Sequence, residues 1–209
     1  YSNESSAPSA ISAGVLLIWP GDIPLRPKAF SNPRTRFSLV YKSRSGSHYC
    51  AMEPWSQQQV TTAKGPVLLR TAHADEVYPL RMTVLIAGTD RASPEFDGDD
   101  DPHSIHVLGE SAGTVVTIAS WMPNRWNGEP ALQLRGMATA PDWQGLGLGS
   151  ALLHFCEQAL AHPGGPRYLW CNARVNAVGF YLRQGWQPAS DPFEIPGVGP
   201  HYRMLKELS

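Results

Sequence analysis

The chain has 209 residues, a length that suits one domain of ordinary size plus an extension. Hydrophobic residues make up 42% of it, enough for a sizeable core, and a formal net charge of −1 argues against nucleic acid or an anionic membrane as a partner. The three cysteines, Cys50, Cys156 and Cys171, show no paired spacing, so we expect reduced thiols in a cytoplasmic protein rather than a disulfide framework.

Residues 1–65 are expected to form a poorly ordered or irregular extension, because they are rich in polar residues and prolines interrupt any helix in their first half. The alternative is that Phe37–Tyr41 adds a strand or binds a partner. The apolar run Val15–Trp19 is too short to span a bilayer and lacks the basic flank of a secretory signal. The folded domain is therefore predicted to cover residues 66–209.

Beyond residue 66 the spacing of apolar residues alternates between strand-like and helix-like segments. Residues 123–130 and 191–200 are expected to be loops, because both are rich in turn-forming residues. The pattern predicts a mixed α/β sheet with helices on its faces. In chain order the predicted elements are a strand at 67–70, a helix at 74–86 that could begin as late as Pro79, strands at 104–109, 114–121 and 131–139, a helix at 146–161, a strand at 168–172, a helix at 176–184, and strands at 186–188 and 201–206.

The segment 89–103 is predicted to be a long acidic loop. Its aspartates lack the residue order and the terminal Glu of a calcium-binding loop. His103 and His106 have no Cys or carboxylate at ligand spacing, so no zinc site is expected. We therefore expect a solvated or substrate-facing loop and no metal. If the loop faces the substrate, its charge suits a cationic amine such as a polyamine or an aminoglycoside.

Three glycines at alternate positions, Gly145, Gly147 and Gly149, follow the strand at 131–139 and lead directly into a helix. Glycines let a ligand approach the backbone amides, and a helix start directs those amides and its positive dipole end outward, so the segment predicts a phosphate site. A P-loop needs a lysine that is absent here, and a dinucleotide fold uses a different glycine spacing early in the chain. The pyrophosphate of coenzyme A is the better fit.

Two blocks of the chain carry motifs. Residues Gln144–Gly149 fit the pattern Q/R-x-x-G-x-G/A, and Ala177–Trp186 fits A-x-x-x-Y-x-x-x-G-[FW]. In this order the two blocks resemble the GNAT superfamily of N-acetyltransferases, and the resemblance covers about residues 66–209. It implies the GNAT acyl-CoA N-acyltransferase fold, a mostly antiparallel sheet splayed at the fourth strand with helices on both faces. The Asn that the family carries before the second block falls on Arg174 here.

The resemblance implies acetyl-CoA as the co-substrate. The main chain of the fourth strand would meet the pantetheine arm and the thioester, and the glycine loop would hold the pyrophosphate. Asn172 and Asn176 are the asparagines nearest to the family's Asn position. The implied cofactor-binding residues are Met137, Ala138, Thr139, Gln144, Gly145, Leu146, Gly147, Leu148, Gly149, Ser150, Asn172 and Asn176.

Tyr181 matches the tyrosine that protonates or orients the CoA sulfur in the family, and a phenol pKa of about 10 suits an acid. The alternative is a core aromatic beside Phe180.

The sequence does not decide which residue is the general base. His201 resembles a Pro-His at the last strand of some subgroups and could deprotonate the amine, although a structural His at a strand start fits equally well.

Gln133 and Arg135 are candidate substrate residues, because the period of two places them on one face of the strand with Met137 and Thr139. Arg135 could bind an acidic part of the substrate or could be an exposed strand charge.

The expected function is transfer of an acetyl group from acetyl-CoA to a primary amine of a small molecule or peptide by direct attack. The alternative is a non-catalytic acyl-CoA-binding sensor or scaffold. The sequence leaves a homodimer open.

Overall fold

The computed structural model describes residues 55–208, and ten strands in that range form one sheet. Three α-helices accompany them: α1 at Ala74–Arg81, α2 at Leu148–Leu160 and α3 at Val178–Arg183. None of the helices in this range is long and apolar enough to cross a membrane. The strands are β1 Gln58–Thr62, β2 Gly65–Ala72, β3 Ile105–Ser111, β4 Thr114–Trp126, β5 Glu129–Leu134, β6 Ala138–Thr139, β7 Tyr168–Arg174, β8 Gln187–Pro188, β9 Phe193–Ile195 and β10 Gly199–Glu207.

The strand order along the sheet is β1-β2-β3-β4-β5-β7-β10-β8, with β6 paired to β4 and β9 paired to β10. The β5–β7 pair is parallel, and the other pairs described are antiparallel. The prediction of a mixed, mostly antiparallel sheet is therefore confirmed.

Helices α1 and α2 pack on opposite faces of this sheet. Val107 and Leu108 are neighbours on β3, so their side chains point to opposite faces. Leu108 belongs to a buried cluster with Val77 and Leu80 of α1, whereas Val107 belongs to a second cluster with Leu152 of α2. We call these the α1 face and the α2 face.

Helix α1 begins at Ala74, not at Pro79. The N–H of His73 donates to Oε2 of Glu76 at 2.8 Å, which satisfies a backbone donor at the helix start. Pro79 lies inside the helix, in its last turn, and the chain then continues as a π-helical turn at Met82–Ile86. The predicted helix at 74–86 is thus one continuous but irregular element.

The predicted loop at 123–130 is wrong, because most of it belongs to a hairpin. Strand β4 continues to Trp126 and β5 begins at Glu129. Asn127 and Gly128 both have positive φ, 49° and 86°, as a two-residue hairpin turn requires. Pro123 is tolerated because β4 pairs with β3 only as far as Trp121, so its next residues have a neighbour on one side only.

The predicted strand at 131–139 is interrupted by a β-bulge. The N–H of Arg135 donates to the carbonyl of Ser120 at 2.9 Å, and Ala138 lies opposite Ile118. Between these two pairings the chain takes three steps, from 135 to 138, while β4 takes only two, so this strand contains one extra residue. Gly136 lies in the bulge, where a Cβ would come within 3.1 Å of Arg81 Nε. Only glycine avoids that contact without displacing the arginine.

Two further segments differ from the expected loops. Residues 191–200 contain β9, which pairs with β10. Gln58–Thr62 falls within the segment 1–65, expected to be irregular, yet it forms β1 and pairs with β2. Phe37–Tyr41 and the rest of 1–54 lie outside the described residues.

Candidate active site

A cleft of about 1170 Å³ opens where β5 and β7 part. Their parallel pairing covers Ala131–Leu134 and ends at Cys171. Beyond that point β6 pairs with β4, and the rest of β7 pairs with β10. The two halves of the sheet therefore diverge, and the gap between them extends from the α1 face to the α2 face.

The cleft brings together most of the residues that the sequence nominated. Leu146 does not line it. The nominated residues that line it are Gln133, Arg135, Met137, Ala138, Thr139, Gln144, Gly145, Gly147, Leu148, Gly149, Ser150, Asn172, Asn176, Tyr181 and His201.

The glycine loop presents the start of helix α2 to the cleft. Gly145 and Gly147 have φ values of 73° and 77°, a region that favours glycine. Gly147 is the N-cap residue and no side chain caps the helix, so the amides of Leu148, Gly149 and Ser150 have no partner within it. Because free amides and a positive helix end suit an anion, the loop fits a pyrophosphate.

The space beside the loop is bounded by residues of the cleft. A Cβ at Gly149 would lie 3.6 Å from Met137 Cε, Phe180 Cε2 and Thr139 Oγ1, so a larger side chain there would enter the cleft. The Gln144 side chain donates to the Thr139 carbonyl at 3.0 Å, which ties the loop to β6.

The bulge divides the nominated strand residues between the two faces. Met137 packs with the cluster on the α2 face, whereas Ala138 belongs to the cluster on the α1 face. Leu134 also belongs to the α2-face cluster, which leaves Gln133 and Arg135 on the α1 face. The expectation that these two share one face with Met137 and Thr139 is therefore wrong, because the extra residue resets the alternation.

Met137 lies in the bulge, outside both strands. Its backbone takes part in none of the turn and loop hydrogen bonds between the described residues. Its N–H and C=O therefore remain available to a ligand, and the residue lines the cleft.

Tyr181 is both a core residue and a cleft residue, so the two interpretations of its role are compatible. It is 7% exposed and packs against Trp186 with ring centroids 5.3 Å apart. Its hydroxyl lies 4.0 Å from Met137 Sδ. Burial, and to a lesser degree the nearby Cys171 thiol, raises the pKa of Tyr181 well above its usual value, so the phenol keeps its proton at neutral pH.

His201 lies on the α1 face of β10, opposite Arg174 of β7. Its Nδ1 is 2.7 Å from the carbonyl oxygen of Gly199. Because a carbonyl only accepts, Nδ1 carries the hydrogen, and in the neutral ring Nε2 keeps a free lone pair. The ring also packs near Phe193, with centroids 6.3 Å apart. His201 is thus held in the tautomer that a base in the cleft requires.

The acidic loop is only partly solvated. Asp99 is buried and pairs with Arg81, and Phe96 from the same loop lines the cleft. Between residues 55 and 208 no group of three or more His, Cys, Asp or Glu side chains could hold a metal ion.

Three cleft residues that the sequence did not nominate are arginines: Arg91, Arg174 and Arg183. Arg174 was visible as the residue replacing the family's Asn, and Arg183 as a cation in the last turn of the helix that carries Tyr181. Arg91 gave no signal. Together with Arg135 they make four arginines, and the described residues that line the cleft include no Asp or Glu.

Comparison with known proteins agrees with this architecture. The model of the acetyltransferase (GNAT) family matches residues 74–186. The uncharacterized N-acetyltransferase YitI of Bacillus subtilis strain 168 is 32% identical over 143 residues, which cover 67% of this chain and 95% of that protein.

Two solved structures show the same fold. Escherichia coli ElaA has a TM-score of 0.56 at 20% identity, over 68% of this chain and 99% of that chain. Arabidopsis thaliana Naa50, in complex with the bisubstrate analogue CoA-Ac-MVNAL, has a TM-score of 0.53 at 16% identity, over 68% of this chain and 98% of that chain. With the family match and the bacterial relative, the chain belongs to the GNAT family of acetyltransferases.

Proposed function

We propose that this protein transfers the acetyl group of acetyl-CoA to a primary amine by direct attack. The observation that carries the proposal is the cleft through the sheet. It has an anion-binding helix start on the α2 face, the protonated phenol of Tyr181 inside, and His201 on the α1 face. Membership of the GNAT family supports an acetyltransferase, and the arrangement of the site supports the finer proposal of acetyl-CoA and an amine.

The residues at the α2 face fit acetyl-CoA. The amides of Leu148, Gly149 and Ser150 would hold its pyrophosphate, and the backbone of Met137 would meet the pantetheine arm and the thioester carbonyl. Naa50, a protein of the same fold, is seen with an analogue that contains CoA. When bound, acetyl-CoA supplies an activated acyl thioester.

Two side chains of this chain would handle the protons. The neutral amine attacks the thioester carbonyl, and His201 accepts at Nε2, directly or through a water molecule, the one proton that the nitrogen then loses. Tyr181 gives its phenol proton to the leaving thiolate. A C–N bond forms as the C–S bond breaks, and the products are an amide and a free thiol.

Turnover of acetyl-CoA with a panel of amines tests the proposal. Thiol release and the mass of the acetylated amine are measured together. We expect turnover with the wild-type chain, and a fall in kcat of about 10²-fold or more in Tyr181→Phe. Tyr168→Phe is the matched control, since Tyr168 lies on β7 outside the cleft. Clear CoA binding without turnover of any amine would instead favour the non-catalytic sensor or scaffold.

A further inference from the structure

Three arginines on the α1 side of the cleft are held in place without being neutralised. Arg91 donates to the Glu95 carbonyl, Arg135 to the Asp97 carbonyl and Arg174 to the Leu85 carbonyl, each at 2.9 Å. A backbone carbonyl is neutral, so each bond orients a guanidinium and leaves its charge and its other N–H donors available. No ion pair between described residues includes any of the three.

Arg91 and Arg135 share the ring of Phe96. Their guanidinium carbons lie 4.6 and 5.4 Å from its centroid. Arg81 also lies over this ring, at 4.2 Å, but Asp99 neutralises it. Two unneutralised guanidinium groups on one ring repel each other, and an anion that accepts from both would remove the repulsion.

The acids of the neighbouring loop offset this charge only in part, although Asp97 attracts the Arg135 guanidinium. Asp99 is ion-paired with Arg81. The side chains of Glu95 and Asp97 form no ion pair with Arg91 or Arg135. Both residues offer their backbone carbonyls to the arginines and are themselves exposed. The charge that faces the cleft is therefore positive, although the loop as a sequence is acidic.

We propose that the acceptor is an amine that also carries a carboxylate, and that Arg91 and Arg135 bind this carboxylate at the α1 mouth of the cleft. The inference rests on the proposed function and names its substrate class. The amine of such a molecule reaches toward His201, while its carboxylate remains at Phe96. Cationic polyamines and aminoglycosides, which the acidic loop suggested, are poor acceptors on this basis because they meet arginines.

Matched acceptors provide the test. We would compare ω-amino carboxylates with their carboxamides and with α,ω-diamines of the same length, whose reacting amines are far enough from the other end to have similar basicity. We expect kcat/KM to be at least about tenfold higher for the carboxylate than for the carboxamide, with the diamine lowest. Equal values, or a preference for the diamine, would overturn the inference.

Variants locate the effect. In Arg135→Gln and in Arg91→Gln the ratio of kcat/KM between carboxylate and carboxamide should fall by about tenfold. Arg125→Gln is the control, because Arg125 contacts the Gly128 carbonyl at the β4–β5 hairpin and does not line the cleft. Arg125→Gln should keep the wild-type ratio of kcat/KM. If neither Arg135→Gln nor Arg91→Gln changes that ratio, these two arginines do not bind the carboxylate.

Product binding separates this inference from the proposed function. The N-acetylated ω-amino carboxylate and its carboxamide are titrated into the wild-type chain and into Arg135→Gln by calorimetry, which needs no turnover. Tighter binding of the carboxylate, lost in the variant, supports the arginine site even if no amine is acetylated. Equal binding of both compounds rejects it even if acetylation proceeds.

Discussion

Arg81 and Asp99 form an ion pair that is almost wholly removed from solvent, with side-chain exposures of 0% and 4%. Arg81 also donates to Ser120 Oγ at 2.7 Å and to the Pro94 carbonyl at 2.9 Å, and Asp99 accepts from the N–H of Phe96 at 2.7 Å. The pair thus joins helix α1, strand β4 and the loop that carries Phe96 to the cleft.

Replacing Arg81 alone should be costly. Arg81→Met leaves the Asp99 carboxylate buried without its cation, so we expect the free energy of unfolding to fall by about 3–5 kcal/mol. Urea unfolding followed by circular dichroism measures it. Arg81→Met combined with Asp99→Leu removes both charges and should be more stable than the single variant. A double variant that is less stable than Arg81→Met would contradict this account.

A methyl group at Gly147 should weaken coenzyme A binding. Its φ of 77° is unfavourable for alanine by about 1–2 kcal/mol, so the loop should move out of the conformation that presents the amides of α2. We expect Gly147→Ala to raise the Kd for CoA by about tenfold, measured by calorimetry. Gly113→Ala is the control, since Gly113 has a φ of 78° in the β3–β4 turn, away from the cleft. An unchanged Kd in Gly147→Ala would remove the loop from the binding site.

The stability of the protein should fall as the pH rises above 9. Burial raises the pKa of the Cys156 thiol from 9.0 to about 12, and the Cys171 thiol likewise. Between these values the thiols ionise in the unfolded chain and stay protonated in the folded one. The unfolded state therefore binds fewer protons, and each thiol lowers the free energy of unfolding by up to about 1.4 kcal/mol per pH unit.

Urea unfolding at a series of pH values from 8 upward measures this loss. The test is the slope of the free energy of unfolding against pH. Cys156→Ala should show a shallower decline above pH 9 than the wild type, whatever its stability at pH 8. Parallel curves for the two proteins would show that Cys156 ionises equally in both states.

The glycine loop and Tyr181 could be found from the sequence because their signals are local. Alternating glycines between a strand and a helix expose the backbone amides that bind an anion, and the prediction does not depend on residues elsewhere in the chain. The hairpin at Asn127-Gly128 was also readable, because this dipeptide favours a two-residue turn. Pro123 and Pro130 make the flanking residues look unlike strands, because the cost of a proline in a strand depends on whether a neighbouring strand needs its N–H.

The α1 side of the cleft could not be predicted in the same way. Arg91, Arg135 and Arg174 come from a loop, a bulge and the end of a strand, far apart in the chain. The parallel pairing of β5 with β7, which ends just before Arg135, places the last two at one cleft, and the period of two does not reveal it. The bulge at Gly136 was hidden for a related reason. A bulge can be recognised only by comparing a strand with the register of the strand that it pairs with.

A cleft that opens on both faces of the sheet gives its two ligands separate entrances. In the proposed reaction the thioester would enter past the start of α2 and the acceptor past Phe96, so neither would have to leave before the other arrives. Both can therefore be present in one ternary complex, and no acetylated form of the protein has to exist between two half-reactions. Initial rates measured against both concentrations should then give intersecting rather than parallel reciprocal plots. For the proposed reaction, the parting of two strands in the sheet would thus favour a sequential over a ping-pong mechanism.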